Sequence, residues 1–341
     1  MRRFVLSFFA LFAVFSLNSP AQSAPLALEK KNVVIAVGGK NLFYYLPLTI
    51  AEQRGFFKDE GLTVEVPDFA GGSKSLQALM GGSADVVSGA YEHTVTMQAK
   101  NLYIREFVVQ GRAPQIVFAV STRTMPDFRT LTDMKGKKIG VTAPGSSTSM
   151  MAAYLLAKAG LSIKDDVSII GVGASTTAVT AIQSGQIDAL VNLDPVTTLL
   201  QRDGSIKVVS DTRTLKDTME VYGGLMPAAV LYTTEDFIRE NPNTTQALTN
   251  AMVRALKWLQ TATPDEVADT VPKEFLLGDR ALYMSAWENV KEAMSPDGMM
   301  DASGPRVAYE MLRTFNEEVA GKKIDLDRTY TNEFVIKANA K

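Results

Sequence analysis

The residues best suited to chemistry in this chain are hydroxyls and glycines at helix starts. Pro144, Gly145, Ser146, Ser147 and Thr148 follow a short apolar run, Lys138 to Thr142. They precede Ser149 to Lys158, where apolar residues recur at helical spacing until Gly160. A strand, a tight loop and a helix start in that order leave N–H groups and hydroxyls pointing outward together. The helix dipole adds partial positive charge, so a small anion or polar group can settle there. Gly145, Ser146, Ser147 and Thr148 are therefore candidate ligand-binding residues. A plain βα turn whose hydroxyls cap a helix would explain the same residues. The glycine spacing matches neither a phosphate loop nor a dinucleotide fingerprint.

The same chemistry occurs again on either side. Gly71, Gly72 and Ser73 stand ahead of a helical stretch, Lys74 to Met80, and Ser175, Thr176 and Thr177 stand ahead of another. Offsetting the first onto the second by 103 residues pairs Leu79 with Ile182, Gly82 with Gly185, Asp85 with Asp188 and Val87 with Leu190. Gly72, Ser73, Ser175 and Thr176 join the candidates. So do residues that follow apolar runs at the same edge: Ser88 and Tyr91 after Ala84–Val87, and Phe43 and Tyr44 after Asn32–Val37. Phe43, Tyr44 and Tyr45 in one loop exceed what a core would take, and supply an aromatic wall. Asp194 closes LVNLDP, where its carboxylate either meets a ligand amine or caps the following helix. His93 is the only histidine, so a multi-histidine metal site is excluded and no metal is expected.

To position these residues the chain alternates strand, loop, helix and strand twice. That pattern predicts an α/β fold with two similar lobes, each a largely parallel sheet covered by helices. Ligands in open α/β sheets bind outside the carboxyl ends of the strands, so two facing lobes form a cleft between helix starts. Ahead of them, Arg2 and Arg3, the apolar run Phe4–Leu17 and small residues around Ala21 and Ser23 read as a signal peptide, residues 1–23. The chain has no cysteine, which excludes a lipid-modified cysteine anchor and disulfides. Removing the leader leaves 33 basic against 37 acidic residues, a formal charge of −4. No basic run supports nucleic-acid binding.

Three stretches together resemble a known family: YLPLTIAEQRGFFKDEGLTVEV, GGSKSLQALMGGSADVVSGA and DMKGKKIGVTAPGSSTSMMAAYLLAKAGL. They are similar to the periplasmic substrate-binding proteins of ABC importers for sulfonates, nitrate, taurine and thiamine-type pyrimidines. The resemblance runs from about Asn32 to about Val335. It implies a type II periplasmic binding protein fold, with lobe I at 31–118 and 226–335 and lobe II at 119–225. It also places Gln115 at the first crossing between lobes, facing the cleft, and Gly224 at the return crossing beside Gly223.

The function so implied is capture of a small-molecule ligand by lobe closure and delivery to a membrane permease, by a monomer in the periplasm without a cofactor. Paired helix starts suggest a small organic anion, a sulfonate or carboxylate. A thiamine-precursor-type pyrimidine held by the aromatic residues is the alternative. An enzyme using Lys40, Glu92 and His93 is the rival from another class. Its mark would be His93 pointing into the cleft beside Glu92. The related eukaryotic pyrimidine-synthesising enzymes carry a cysteine-rich motif that this chain lacks.

Overall fold

The computed structural model describes residues 27–340, and the expected signal peptide lies outside them. From the amino end run strand β1 (Asn32–Val37), helices α1 (Leu46–Gln53) and α2 (Phe56–Asp59), β2 (Thr63–Glu65), α3 (Gly72–Met80), β3 (Val86–Gly89), α4 (Glu92–Ala99) and β4 (Ile104–Gly111). The chain then crosses to β5 (Ile116–Ser121), β6 (Lys138–Val141), α5 (Ser147–Lys158), β7 (Ser168–Gly171), α6 (Thr176–Gln183), β8 (Ala189–Leu193), α7 (Val196–Arg202), β9 (Ile206–Asp211) and α8 (Leu215–Tyr222). It returns through β10 (Ala228–Thr234) and finishes in α9 (Glu235–Glu240), α10 (Pro242–Thr261), α11 (Pro264–Thr270), α12 (Arg280–Val290), α13 (Gly304–Arg313), α14 (Glu317–Ala320) and α15 (Glu333–Asn339).

Two five-stranded sheets result, with strand orders β2-β1-β3-β10-β4 and β7-β6-β8-β5-β9. In the first, β2, β1 and β3 are parallel and β10 lies antiparallel between β3 and β4. In the second, β7, β6 and β8 are parallel and β5 lies antiparallel between β8 and β9. The sheets are copies of one another. In each, the antiparallel strand is the one that has just arrived from the other lobe, so each crossing enters the interior of a sheet rather than its edge. Ile116–Phe118 pair with β8 and β9, which puts the start of lobe II three residues before the boundary expected at 119.

The repeated Gly-x-x-Asp has a structural cause. Gly82 and Gly185 both take the left-handed backbone, φ 74° and 78°, which lets the chain turn sharply out of α3 and α6. Asp85 then donates its backbone N–H to the Val34 carbonyl at 2.9 Å, and its carboxylate accepts from the Val34 N–H at 3.0 Å. Asp188 does the same to Lys138, at 2.8 and 3.0 Å. The motif thus fastens the start of one parallel strand to the middle of the sheet.

The C-terminal part is helical. Helix α11 stops at Thr270, because Pro272 bars the preceding residues from continuing it. Helix α13 ends at Arg313, and the Asn316 side chain then accepts from the Glu318 and Val319 N–H groups and starts α14. Helix α10 packs on α1, α2 and α15, and Trp287 is buried at 1% exposure. Among the described residues no helix is long and apolar enough to cross a membrane.

Replacing Asp188 by Ala removes the acceptor of an exposed backbone N–H at the start of β6, a loss of about 0.5–1.5 kcal/mol. The urea midpoint should fall with an unchanged slope, and an unaltered midpoint would remove the fastening role.

Candidate ligand-binding cleft

The carboxyl ends of β1, β3, β6, β7 and β8 face one another, and the loops leaving them meet. Ser73 donates its N–H to the Ser146 hydroxyl at 3.0 Å and its own hydroxyl to the Pro144 carbonyl at 2.8 Å. Phe43 donates its backbone N–H to the Asp194 carbonyl at 3.1 Å, and the Asn41 amide donates to the Ala174 carbonyl at 2.9 Å. His93 completes the seam. Its Nε2 lies 3.3 Å from the Gly145 carbonyl and its Nδ1 lies 3.0 Å from the Tyr232 hydroxyl. A carbonyl only accepts, so Nε2 carries the proton and Nδ1 accepts from Tyr232. Burial holds the imidazole down at about 4, against the small opposing effect of Gly145, so the ring is neutral near pH 7.

This seam reassigns several expected ligand contacts. Ser73, Ser146 and Gly145 bind the opposite lobe. Gly72 lies 3.6 Å, measured from where a Cβ would sit, from both His93 and the Tyr45 hydroxyl. Thr148 bonds inward to Thr142, donating or accepting at 2.8 Å and accepting the Thr142 N–H at 3.1 Å. Asp194 caps α7, accepting from Thr197 and from the Thr198 N–H at 2.7 Å, and it faces Arg213 at 3.5 Å. Its carboxylate is therefore spent on the helix start, and only its backbone carbonyl reaches across the cleft. Thr176 is exposed, and Ser175 makes no side-chain cap.

The aromatic expectations change too, because Phe43, Tyr44 and Tyr45 are all buried, at 1, 2 and 4% exposure. Phe43 sits with its centroid 4.6 Å from Tyr283 and 5.9 Å from Trp287, so α12 supplies the apolar cover that the loop by itself lacks. Tyr91 bonds Thr329 in lobe I, Ser88 accepts from the Gln110 amide at 2.9 Å, and Gly224 lies against Val307 of α13. None of these three touches lobe II through those contacts.

What remains is a set of buried polar atoms with no protein partner. Around the cleft and the crossing they include the Tyr44 hydroxyl, both amide atoms of Gln115, Nε of Arg112, the Gln110 amide oxygen and Oε2 of Glu92. Gln115 lies in the crossing between β4 and β5, where φ of 60° folds the chain back and its amide nitrogen sits 3.4 Å from a Cβ position on Gly111. The Tyr44 phenol lies near Ser147 at the start of α5 and near the Ala229 backbone, and burial raises it well above its ordinary value. Glu92 opens α4 and is 2% exposed. Burial pushes its carboxyl up to about 7, opposed only by its own backbone N–H. Its charge would also oppose ionisation of Tyr44, Tyr45 and Tyr232 in lobe I and of Tyr222 in lobe II, and the neighbouring His93 bonds the Gly145 carbonyl of lobe II. Sequence spacing weighed Glu92 only as an acid–base partner of His93. The available signal was an acidic residue set straight after an apolar strand and a tyrosine. Among the described residues no cluster could hold a metal ion.

A family model described as the NMT1-like family matches residues 28–271. A solved structure from Bordetella bronchiseptica RB50 is 55% identical, covers 92% of this chain and 98% of its own, and superposes with a TM-score of 0.90. The alkanesulfonate-binding protein SsuA from Xanthomonas axonopodis pv. citri, bound to MOPS, is 19% identical, with 91% and 98% covered and a TM-score of 0.67. The 4-amino-5-hydroxymethyl-2-methylpyrimidine phosphate synthase of Uromyces fabae is 26% identical over 217 residues, 61% of each chain.

A Cβ on Gly71 would stand 2.8 Å from the Ala143 Cβ and 2.9 Å from its N, across the seam. The Gly71 backbone is extended, φ 177°, so Gly71→Ala strains the closed interface and leaves each lobe intact. Small-angle scattering should show a larger radius of gyration, and affinity for any captured solute should fall about tenfold as the closed fraction drops. An unchanged radius would mean that the seam does not govern closure.

Proposed function

The chain belongs to the NMT1-like family, and from that premise and the cleft geometry we propose that it is an exported solute-binding protein of an ABC importer. It captures a small nitrogen heterocycle of the pyrimidine type between its lobes and presents the closed form to a membrane permease. The observation that carries this reading is the set of unpartnered polar atoms left between closed lobes: Tyr44 Oη, Glu92 Oε2 and the Gln115 amide. Buried polar atoms without partners are costly, and a solute that supplies the partners favours closure over opening.

The organic anion suggested by paired helix starts has less support, because the Ser73 N–H at the start of α3 is taken by the Ser146 hydroxyl. The buried charged residues among those described are Glu92, His93, Glu106, Asp194 and Arg213. Among the described residues the one buried guanidinium, Arg213, is held by Asp211 at 2.6 Å and by Asp194, and the half-buried Arg112 at the crossing donates to the Glu292 carbonyl at 3.1 Å. His93 does reach the cleft beside Glu92, the mark set for an enzyme, yet capture suits the side chains better than catalysis does. Both nitrogens of His93 are engaged in the seam, and the Lys40 ammonium pairs with Glu52 at 2.7 Å.

A thermal-shift series with aminopyrimidines, alkanesulfonates and carboxylates tests this reading. A solute at a hundred times its Kd should stabilise the protein by about 2.7 kcal/mol, a rise of several degrees. Aminopyrimidines should give that rise. A response to sulfonates alone would overturn the ligand class, and no response to any class would overturn solute capture.

A further inference from the structure

Resting on the solute-capture reading, we propose that Glu92 is the specificity-determining residue of the cleft. It meets the solute as a neutral carboxylic acid, its O–H donating to a ring nitrogen and its C=O accepting from the adjacent amino group.

Three observations converge on that assignment. The first is position: Glu92 opens α4 directly beyond the carboxyl end of β3, fully within the closed interface, with Oε2 lacking any partner. The second is the charge of its surroundings. The groups that face it are the phenols of Tyr44 and Tyr45 beyond β1, Tyr232 on β10 and Tyr222 on α8, with His93 next along α4. Burial keeps all four phenols un-ionised near neutral pH and His93 unprotonated. Among the described residues no cation stands opposite, so desolvation opposes loss of the Glu92 proton up to about pH 7.

The third is complementarity. A carboxylic acid offers one donor and one acceptor side by side, which matches an edge that pairs a ring nitrogen with an exocyclic amino group. The unpartnered amide atoms of Gln110 and Gln115 also combine donors with acceptors and suit a heterocycle rather than an ion. A primary alkylammonium would match only a carboxylate.

The proton bookkeeping distinguishes these cases. Below about pH 7 the acid is already protonated, so a heterocycle binds without proton exchange. Above it one proton must be taken up, and affinity falls about tenfold per pH unit. An alkylammonium would do the reverse, gaining affinity as the pH rises to 7.

Calorimetry from pH 6 to 8.5 with 4-aminopyrimidine, pyrimidine, methanesulfonate and propylamine as probes tests the proposal on wild type, Glu92→Gln and Glu92→Leu. Circular dichroism confirms that each variant folds. In wild type 4-aminopyrimidine should bind tighter than pyrimidine and weaken only above pH 7. Glu92→Gln retains a donor and an acceptor, so it should rescue binding relative to Glu92→Leu and lose the pH dependence. Glu92→Leu should weaken 4-aminopyrimidine at least tenfold at pH 6. Affinity that rises with pH, a preference for propylamine, or methanesulfonate binding indifferent to both variants would each overturn the role of Glu92 while leaving solute capture standing. Binding by none of the probes would remove this proposal, and a silent thermal-shift series beside it would remove solute capture as well.

Discussion

The cleft depends on one constraint: two polar protein surfaces are brought together through neutral hydrogen bonds, with the Asp279–Arg202 ion pair between lobes kept to an exposed rim. Every bond across the seam described above is a neutral hydrogen bond to a loop at a strand's carboxyl end, whether from the Ser73 N–H, the Asn41 amide or the His93 ring. Such bonds are worth about 1 kcal/mol each in net terms. A handful of them holds the lobes together without making closure irreversible. An ion pair in the same place would carry a large desolvation penalty on closing and leave buried charges if one partner moved. The neutral histidine fits this regime, since its proton position is fixed by a carbonyl on one side and a phenol on the other.

The topology explains how a weak seam can still close accurately. Each sheet takes its antiparallel strand from the chain that has just crossed over, β5 in one lobe and β10 in the other. The two crossings therefore emerge from the middle of rigid sheets. Left-handed residues mark them, Gln115 at φ 60° in the first and Ala229 at φ 33° within β10. Rotation at these points would move whole lobes, and under the proposed capture cycle it would bring Ser73 to Ser146 in one register. Helix α12 adds a strut to lobe II, with Asp279 paired to Arg202 of α7 at 2.7 Å.

The fold itself does not name the solute. The same two-lobed architecture is found at 19% identity in a sulfonate binder, and function resides in the side chains placed on it. Here those side chains are phenols, primary amides and one isolated carboxyl, with the buried guanidinium committed to Asp211 and Asp194. The chemistry of recognition follows from that inventory more directly than from the helix starts that first drew notice.

Much of the architecture was legible in the linear chain because it rests on local rules. The alternation of strands and helices, the paired Gly-x-x-Asp at 82–85 and 185–188 and the first strand at Asn32–Val37 all follow from periodicity and turn chemistry within a few residues. The offset of 103 residues announced two lobes for the same reason. The cleft was only partly legible. Tyr44, Ser147 and Gln115 stand at the lobe interface or the crossing, whereas the side chains of Phe43, Tyr91 and Asp194 find their partners elsewhere or inside their own lobe. Tertiary structure alone decided which helix starts would bond each other and which carboxylate would be spent on a cap. It alone decided that Glu92 would lose its water without gaining a cation. Those outcomes depend on distances between segments some fifty to two hundred residues apart, and burial, unlike periodicity, is a property of the assembled molecule rather than of neighbouring residues.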